Sequence, residues 1–354
     1  GVREAIYYQK RTDNRWNIKD FVNWITSDDP STRSSRGAGE YKQDFYYYPT
    51  NKLRIPVNKE NVLKSGIVKP EDADKIVDYI DITLPGAIDK ARIVMLDILA
   101  NNDWKRPIYF TGGSMDSAEY LWMKDYLQLD GLVYKLVPIK TPIDKNNPYD
   151  MGRIDSELMY NIVKRWTWGN MGKEGIYLDP ETRKNSIIFR GNLARLTEQL
   201  IAEGKTAKAS EIIDIAMKNM PIDAYGYYFT LDPFIEGSYK VGKKEQARAI
   251  ALQVIKKYQE ELNYYTHLPA GELNSNAKRI QYCIDRYGEV VMLSETLDKE
   301  FYTAQWAIFK DKAGLFMGEK ELEEYFKGAA SQAALDSLRN SLLDTTATSD
   351  STEE

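Results

Sequence analysis

The hydrophobic pattern of this chain changes near residue 150. Before that point, short apolar runs bounded by Pro, Gly, Asn or Asp alternate with amphipathic segments, an order that is typical of an α/β layer. After it, long amphipathic segments follow one another, and most of them end at Gly or Pro. The sequence therefore predicts an α/β N-terminal layer over residues 1–150, an all-α tetratricopeptide-like helical array over residues 151–343, and an acidic flexible tail over residues 344–354.

The predicted elements of the first part are strands and two helices. The expected strands are Ile6–Gln9, Leu53–Val57, Tyr79–Leu84, Pro107–Thr111 and Leu132–Ile139. One helix is expected over Asn17–Thr26, and a second over Pro85–Asn102, where apolar residues share one face: Ile88, Ala91, Val94, Met95, Ile98 and Leu99. The first predicted strand lies at the very N-terminus. We therefore expect that the opening strand of the α/β layer is missing from this chain.

The second part predicts a succession of helices: Asp155–Trp166, Pro180–Glu203, Thr206–Met220, Tyr228–Val241, Lys244–Leu262, Ser275–Leu297, Lys299–Ala313 and Glu319–Leu343. A repeat runs over about residues 189–262, since Gly204 and Ala209 recur 38 residues later as Gly242 and Ala247. A glycine at the turn and a small residue where two helices pack closely are typical of tetratricopeptide repeats.

Composition excludes several classes of function. With 48 basic and 53 acidic residues, the chain lacks the basic excess of a nucleic-acid binder. No apolar stretch is long enough for a membrane span, and no signal peptide is present. The single Cys283 and the single His267 exclude an internal disulfide and a structural zinc site. We expect no metal and no cofactor, and the missing initiator Met indicates a fragment of a longer protein.

Aromatic clusters are the strongest candidates for ligand binding, because Tyr and Trp offer flat faces on which sugars and peptides stack. The candidates are Trp16 beside the first helix, Tyr46 and Tyr47 before Pro49, and Trp166 and Trp168 near the end of the α/β part. Core packing, or a plug joining the two domains, is the alternative for these rings. The adjacent acids Asp28 and Asp29 are candidate acceptors for sugar hydroxyls, although a turn is the more ordinary role.

Three further motifs have structural explanations that we favour. Asp72-Ala73-Asp74 has the spacing of a metal–diphosphate site, but acids after Pro70 also suit the first turn of a helix. Gly112-Gly113-Ser114 follows a predicted strand without the remaining residues of a nucleotide-binding motif, so an ordinary turn is expected. His267 is expected at a helix C-terminus, where it interacts with the helix dipole.

Several motifs, in order along the chain, resemble a known family. They are Trp16–Phe21, Ser27–Pro30, Arg54–Val57, Pro70–Asp74, Leu96–Ala100, Arg106–Phe110, Arg153, Trp168–Met171 and Phe189-Arg190. Together they resemble the soluble C-terminal region of a bacterial family of multi-spanning membrane proteins, domain-of-unknown-function 2723, which is itself similar to protein O-mannosyltransferases. The resemblance covers about residues 15–265.

The resemblance implies a parent protein similar to lipid-phosphosugar-dependent glycosyltransferases, with this chain on the periplasmic face of the bacterial inner membrane. The catalytic acid of such enzymes lies in the membrane portion, so no catalytic residue is expected here. We therefore expect a non-catalytic accessory domain that holds an acceptor polypeptide or glycan beside its own N-terminal membrane domain. The alternative is an assembly module of the cell envelope without sugar binding; an independent enzyme built on Asp28, Asp29, Asp72 and Asp74 is a third hypothesis.

Overall fold

The computed structural model describes residues 5–37, 42–112, 116–143, 151–318 and 320–326. Its contacts divide the chain into two compact units, Gly1–Thr167 and Trp168–Glu354. The predicted boundary at residue 150 falls among residues that the structure does not describe and stays a prediction. The acidic tail and the greater part of the last predicted helix also lie outside the described residues.

The strands of the first unit form three small sheets. Their bounds are β1 Ala5–Tyr8, β2 Trp16–Asn17, β3 Arg33–Arg36, β4 Gln43–Tyr48, β5 Lys52–Pro56, β6 Tyr79–Thr83, β7 Ala87–Asp89, β8 Tyr109–Thr111, β9 Leu127–Asp130 and β10 Val133–Leu136. The strand orders are β3-β4-β1-β7, β2-β5-β6 and β8-β10-β9. Strand β1 pairs with β4 in parallel and with β7 in the antiparallel direction, so it lies inside its sheet.

Four helices accompany these sheets among the described residues: α1 Ile18–Thr26, α2 Lys59–Lys64, α3 Lys90–Asn102 and α4 Ser156–Lys164. Helix α1 begins as predicted, because the side chain of Asn17 accepts a hydrogen bond from the Lys19 amide and caps the first turn. Its apolar residues Ile18, Phe21 and Ile25 are buried. The mixed sheets and small helices confirm the α/β character predicted for this part.

The prediction of one helix over Pro85–Asn102 is wrong at its start and in its buried face. Residues Ala87–Asp89 pair with β1, and Asp89 then caps α3 by accepting from the Arg92 amide. Backbone pairing in the sheet therefore overrides the helical pattern of these residues. The helix buries Leu96, Leu99 and Ala100, whereas the predicted core residues Val94 and Ile98 are more than half exposed.

The second unit is helical. Its helices are α5 Pro180–Ala202, α6 Thr206–Asn219, α7 Ile222–Tyr225, α8 Asp232–Lys240, α9 Lys244–Tyr265, α10 Ala270–Met292 and α11 Lys299–Ala313, with residues 320–326 also helical. Several bounds agree with the prediction, as at the start of α5, where Asp179 accepts from the amides of Glu181 and Thr182. Two predictions are wrong: α10 covers Ala270–Met292 rather than Ser275–Leu297, and α8 begins at Asp232 rather than Tyr228. Neither helix has a side-chain cap at its start, so no cap residue in the sequence marks where it begins. The many packed helices confirm the predicted all-α array.

The repeat has the predicted geometry at its two turns. Gly204 and Gly242 follow α5 and α8 with φ values of 73° and 82°, a conformation that favours glycine at a helix C-terminus. Ala209 and Ala247, at matching places in α6 and α9, are fully buried. Gly237 lets α8 approach closely, since a Cβ there would lie 3.2 Å from Thr197 and 3.3 Å from Ile213.

Two buried charges brace these helices. The guanidinium of Arg190 on α5 is fully buried and donates to the carbonyls of Met220, at 2.8 Å, and Gly226, at 2.6 Å. Burial lowers the pKa of Arg190 to about 10. The buried carboxylate of Asp298 accepts from Arg248 at 2.6 Å and contacts Lys244 at 3.1 Å, which joins the start of α11 to α9.

Candidate functional site

Trp16, Trp24 and Tyr47 form a cluster that we call the aromatic site. The rings of Trp16 and Trp24 meet edge to face with centroids 5.4 Å apart, and Trp24 meets Tyr47 in the same way at 5.6 Å. The indole Nε1 of Trp24 donates to the Tyr47 carbonyl at 2.9 Å. Both indoles are half-buried, whereas Tyr47 is buried. Tyr47 thus supports the indole of Trp24, which packs against Trp16, and both indoles remain partly open to solvent.

Local structure fixes the positions of these rings. Trp16 lies in β2, opposite Leu53 of β5, immediately before α1 begins. Trp24 follows Phe21 by nearly one turn of α1 and so lies at the border of the buried face. The guanidinium of Arg11 lies 5.8 Å from the Tyr47 ring centroid, within the range of a cation–π contact. The aromatic site therefore carries one cation beside its apolar surface.

Tyr46 belongs to a separate surface, because neighbouring residues of a strand point to opposite faces of a sheet. It is 49% exposed, and the guanidinium of Arg33, its partner across β3 and β4, lies 3.8 Å from its ring centroid. Arg33 also donates to the carbonyl of Ser27, just before Asp28 and Asp29. We call Tyr46, Arg33, Asp28 and Asp29 the Tyr46 patch.

The two acids of this patch are exposed but differ in role. The carboxylate of Asp29 accepts from the Ser31 amide at 2.8 Å and caps the short 3₁₀ turn Pro30–Thr32. That backbone hydrogen bond lowers the pKa of Asp29. The structure thus gives Asp29 the turn-forming role that the sequence also allowed.

Trp166 and Trp168 lie on either side of the division between the two units and are described separately. A Cβ on Gly131 would lie 3.1 Å from Trp166 and 3.0 Å from Ile162, so the indole of Trp166 packs closely on the turn between β9 and β10. Trp168 lies beside Phe189 of α5 with ring centroids 5.9 Å apart. Each ring is half-buried within its own unit.

Sequence reasoning missed a polar cleft of about 290 Å³ in the first unit. We call it the charged cleft; it is lined by Gly66, Ile67, Val68, Lys69, Asp72, Gln128, Lys135, Arg153, Asp155, Glu157 and Leu158. Its deepest charged groups, Asp72 and Lys135, are 5% and 4% exposed. Buried charges are costly unless they are paired, so the partners of these groups are informative.

Ion pairs hold the charged cleft together. Arg153 donates to Asp72 at 2.8 Å, Lys75 contacts the same carboxylate at 2.7 Å, and Lys69 contacts Asp155 at 3.1 Å. Burial alone would raise the pKa of Asp72, but the hydrogen bonds and charges of Lys75 and Arg153 outweigh it and lower the pKa to about 2. Asp72 therefore stays ionised in the wall of the cleft.

The hairpin of β9 and β10 supplies the rear of the cleft. Gln128 and Asp130 alternate with apolar residues on β9, and Lys135 of β10 pairs with Gln128 in the strand register. Lys135 contacts Asp130 at 3.2 Å, and Gln128 donates to Asp130 at 2.9 Å. This alternation of polar and apolar residues could have indicated a strand. Taken alone, however, it predicts that the polar side of the strand faces solvent rather than a cleft.

The structure also shows where the other sequence motifs lie. Asp72-Ala73-Asp74 forms part of a 3₁₀ helix, Pro70–Lys75, which confirms a helix start; it is not an α-helix. Gly113 and Ser114 lie outside the described residues. The Nδ1 atom of His267 lies 2.8 Å from the Asn263 carbonyl, at the end of α9 as predicted. Within the described residues, no group of three or more His, Cys, Asp or Glu side chains is placed to hold a metal ion.

Over the described part of the chain, no helix combines the length and the apolar character that a membrane crossing requires.

Comparison with known proteins gives one similarity. Residues 1–158 match the family model of TMEM260-associated domain 2, a domain of a membrane-protein family. Neither the curated proteins nor the solved structures gave a match to the chain. The matched range contains the aromatic site and the Tyr46 patch. It also contains every residue that lines the charged cleft, because the last of these along the chain is Leu158. Trp166 and Trp168 lie beyond it.

Proposed function

We propose that this chain is an extramembrane accessory part of a membrane-embedded, glycosyltransferase-like protein, and that it holds the acceptor protein or glycan. The match to TMEM260-associated domain 2 supports an accessory domain of a membrane protein. The finer assignment, including a place on the periplasmic face of the inner membrane, rests on the resemblance of the sequence motifs to domain-of-unknown-function 2723. In this proposal the parent's membrane portion performs the chemistry.

The partly exposed indoles of Trp16 and Trp24 are the observation that carries the acceptor-binding role. Their apolar faces stack on sugar rings or on the side chains of an extended peptide at a low cost in conformational entropy. The Tyr46 patch adds a second exposed ring beside the carboxylates of Asp28 and Asp29, which accept hydrogen bonds from hydroxyls. Both surfaces lie in the first unit.

The helical unit supports the polypeptide part of the proposal. Arrays of helix pairs form extended surfaces that bind long peptide segments. Trp168 on Phe189 offers an aromatic surface at the start of this unit, and Trp166 offers one in the first unit. We include both tryptophans among the proposed binding residues.

The proposal is tested by binding of a fluorescently labelled, permanently unfolded polypeptide and of its glycosylated form to the full chain. We expect Tyr46→Ala and Trp16→Leu to weaken binding about tenfold, the loss that follows from removing one stacked aromatic ring of about 1.5 kcal/mol. Trp166→Ala and Trp168→Ala are measured in the same assay, and fluorescence anisotropy gives the dissociation constants.

Tyr79→Ala is the matched control. Tyr79 is 43% exposed, and the Arg54 guanidinium lies 3.5 Å from its ring centroid. It therefore has the same kind of contact as the Tyr46–Arg33 pair, but it lies outside the proposed binding surfaces. Its variant should bind like the parent chain. Equal binding by all folded variants would contradict the site, and it would leave the assembly module, in which partner proteins bind without these rings, as the better hypothesis.

A further inference from the structure

The charged cleft has the size and the lining of a site for one small polar ligand. Its volume of about 290 Å³ lies just below the range for drug-sized ligands, about 300–1,000 Å³, as suits a smaller ligand. Ile67, Val68 and Leu158 are apolar, and most of the remaining lining carries charges or an amide. A ligand of the cleft must therefore satisfy many hydrogen-bonding groups and one apolar wall.

The charges of the lining are balanced, which argues against an ionic ligand. Three cations face three carboxylates: Lys69, Lys135 and Arg153 against Asp72, Asp155 and Glu157. Lys69 is paired with Asp155, Arg153 with Asp72, and Lys135 with Asp130 behind the wall. An anion or a cation would be attracted by one member of each pair and repelled by the other, so the balanced lining gives an ionic ligand little net stabilisation.

A neutral polyhydroxyl ligand avoids that cost. A carboxylate accepts about four hydrogen bonds, a lysine ammonium has three donor hydrogens and a guanidinium has five, so an ion pair leaves further donors and acceptors available. A hydroxyl both donates and accepts and can bridge the two members of a pair. The C–H face of a sugar ring packs on apolar atoms of the lining, of which Leu158 is partly exposed.

The deepest groups are also held in place before a ligand arrives. Lys135 and Gln128 both contact Asp130, at 3.2 Å and 2.9 Å, and Asp72 is fixed by Arg153 and Lys75. Groups fixed in this way lose little conformational freedom on binding. We propose that the charged cleft binds a single neutral sugar residue, with Lys69, Arg153 and Asp72 among its hydrogen-bonding groups.

This inference goes beyond the proposed function and can fail independently of it. The charged cleft shares no residue with the aromatic site or the Tyr46 patch. Loss of sugar binding at the cleft would leave binding of an unglycosylated polypeptide unchanged, whereas Trp16→Leu and Tyr46→Ala would weaken polypeptide binding and leave the cleft intact.

The experiment is a ligand-observed NMR titration of the full 354-residue chain. The probes are neutral hexoses and N-acetylhexosamines, with alanine as a zwitterion and inorganic phosphate as an anion. The variants are Lys69→Met at the rim and Arg153→Met in the wall. Lys59→Met is the matched control, because Lys59 and Lys69 are similarly exposed, at 49% and 43%, and Lys59 pairs with Asp78 away from the cleft.

We expect saturable binding of at least one neutral sugar, with a dissociation constant that rises about tenfold in Lys69→Met and Arg153→Met and stays unchanged in Lys59→Met. The rim variant keeps the test valid if the wall variant fails to fold. Absence of saturable sugar binding would overturn the inference, as would sugar binding that both cleft variants retain. Phosphate or alanine binding that is lost in those variants, without sugar binding, would also overturn it.

Discussion

The carboxylate of Asp72 is almost fully buried and stays ionised between two cations, Lys75 at 2.7 Å and Arg153 at 2.8 Å. Burial alone would have raised its pKa, so the value of about 2 measures how strongly these partners favour the charged form. The spacing of Asp72-Ala73-Asp74 in the sequence gave no indication of Arg153, which lies far along the chain. At the scale of single residues, partners that meet through tertiary structure decide the role of a side chain.

This pKa predicts a specific loss of stability in acid. Because the folded-state pKa of Asp72 lies below its ordinary value of 3.8, its ionised form stabilises the fold above about pH 4, and that contribution disappears as the pH falls toward 2. The shift corresponds to about 2 kcal/mol. Urea unfolding of Asp72→Asn should therefore show a lower free energy of unfolding at pH 7 and a smaller decrease between pH 5 and pH 2 than the parent chain.

Asp74→Asn is the control for this measurement, since Asp74 is exposed on the same 3₁₀ turn. It should retain the pH dependence of the parent chain. An identical pH profile for Asp72→Asn and the parent would show that the pairs with Lys75 and Arg153 do not stabilise the fold.

At the scale of elements, helices follow the sequence more closely than strands do. Helical bounds were predictable where a cap or a terminal glycine marks them, as at Asp179 and Gly204, and not at α10, whose start has no side-chain cap. Strands β2, β3, β4, β7 and β9 were missed, and three of them, β2, β4 and β7, pair with strands that are distant in the chain, namely β5 and β1. The charged cleft was missed for a similar reason. Gln128 and Asp130 alternate with apolar residues, a pattern that predicts a solvent-exposed face of the strand. Only the segments that pack against this face in the structure show that it is buried.

Gly288 on α10 has an element-scale role of its own. A Cβ at this position would collide with the ring of Phe326, so the absence of a side chain lets helical residues 320–326 pack on α10. Phe326 also meets Phe309 and Trp306 edge to face, at centroid distances of 5.3 Å and 5.8 Å. The contact joins three helical segments within the second unit.

We expect Gly288→Ala to destabilise the second unit by about 1–3 kcal/mol, the usual cost of overpacking, and to speed hydrogen exchange at residues 320–326. Gly271→Ala is the control on the same helix, where a Cβ meets nothing within 4 Å; it should be neutral or slightly stabilising. Thermal unfolding and hydrogen–deuterium exchange measure both effects. Equal stability of the two variants would mean that Phe326 does not pack on Gly288.

At the scale of the whole molecule, the two units differ in the features that bear on the proposed function. The first unit matches a domain of a membrane-protein family and contains the aromatic site, the Tyr46 patch and the charged cleft. The second unit is an array of helix pairs, braced by the buried charges of Arg190 and Asp298. Several polar and aromatic surfaces on one unit suit the role that we propose for it, which is to hold an acceptor.

The most direct test of this account is cell fractionation with an antibody against the chain. If the chain is the extramembrane part of a membrane-embedded protein, the antibody should detect a band far larger than 40.8 kDa that only detergent extracts from the membrane fraction. A band near 40.8 kDa in the aqueous fraction, released without detergent, would contradict the account and would make the aromatic site and the charged cleft features of a self-sufficient protein.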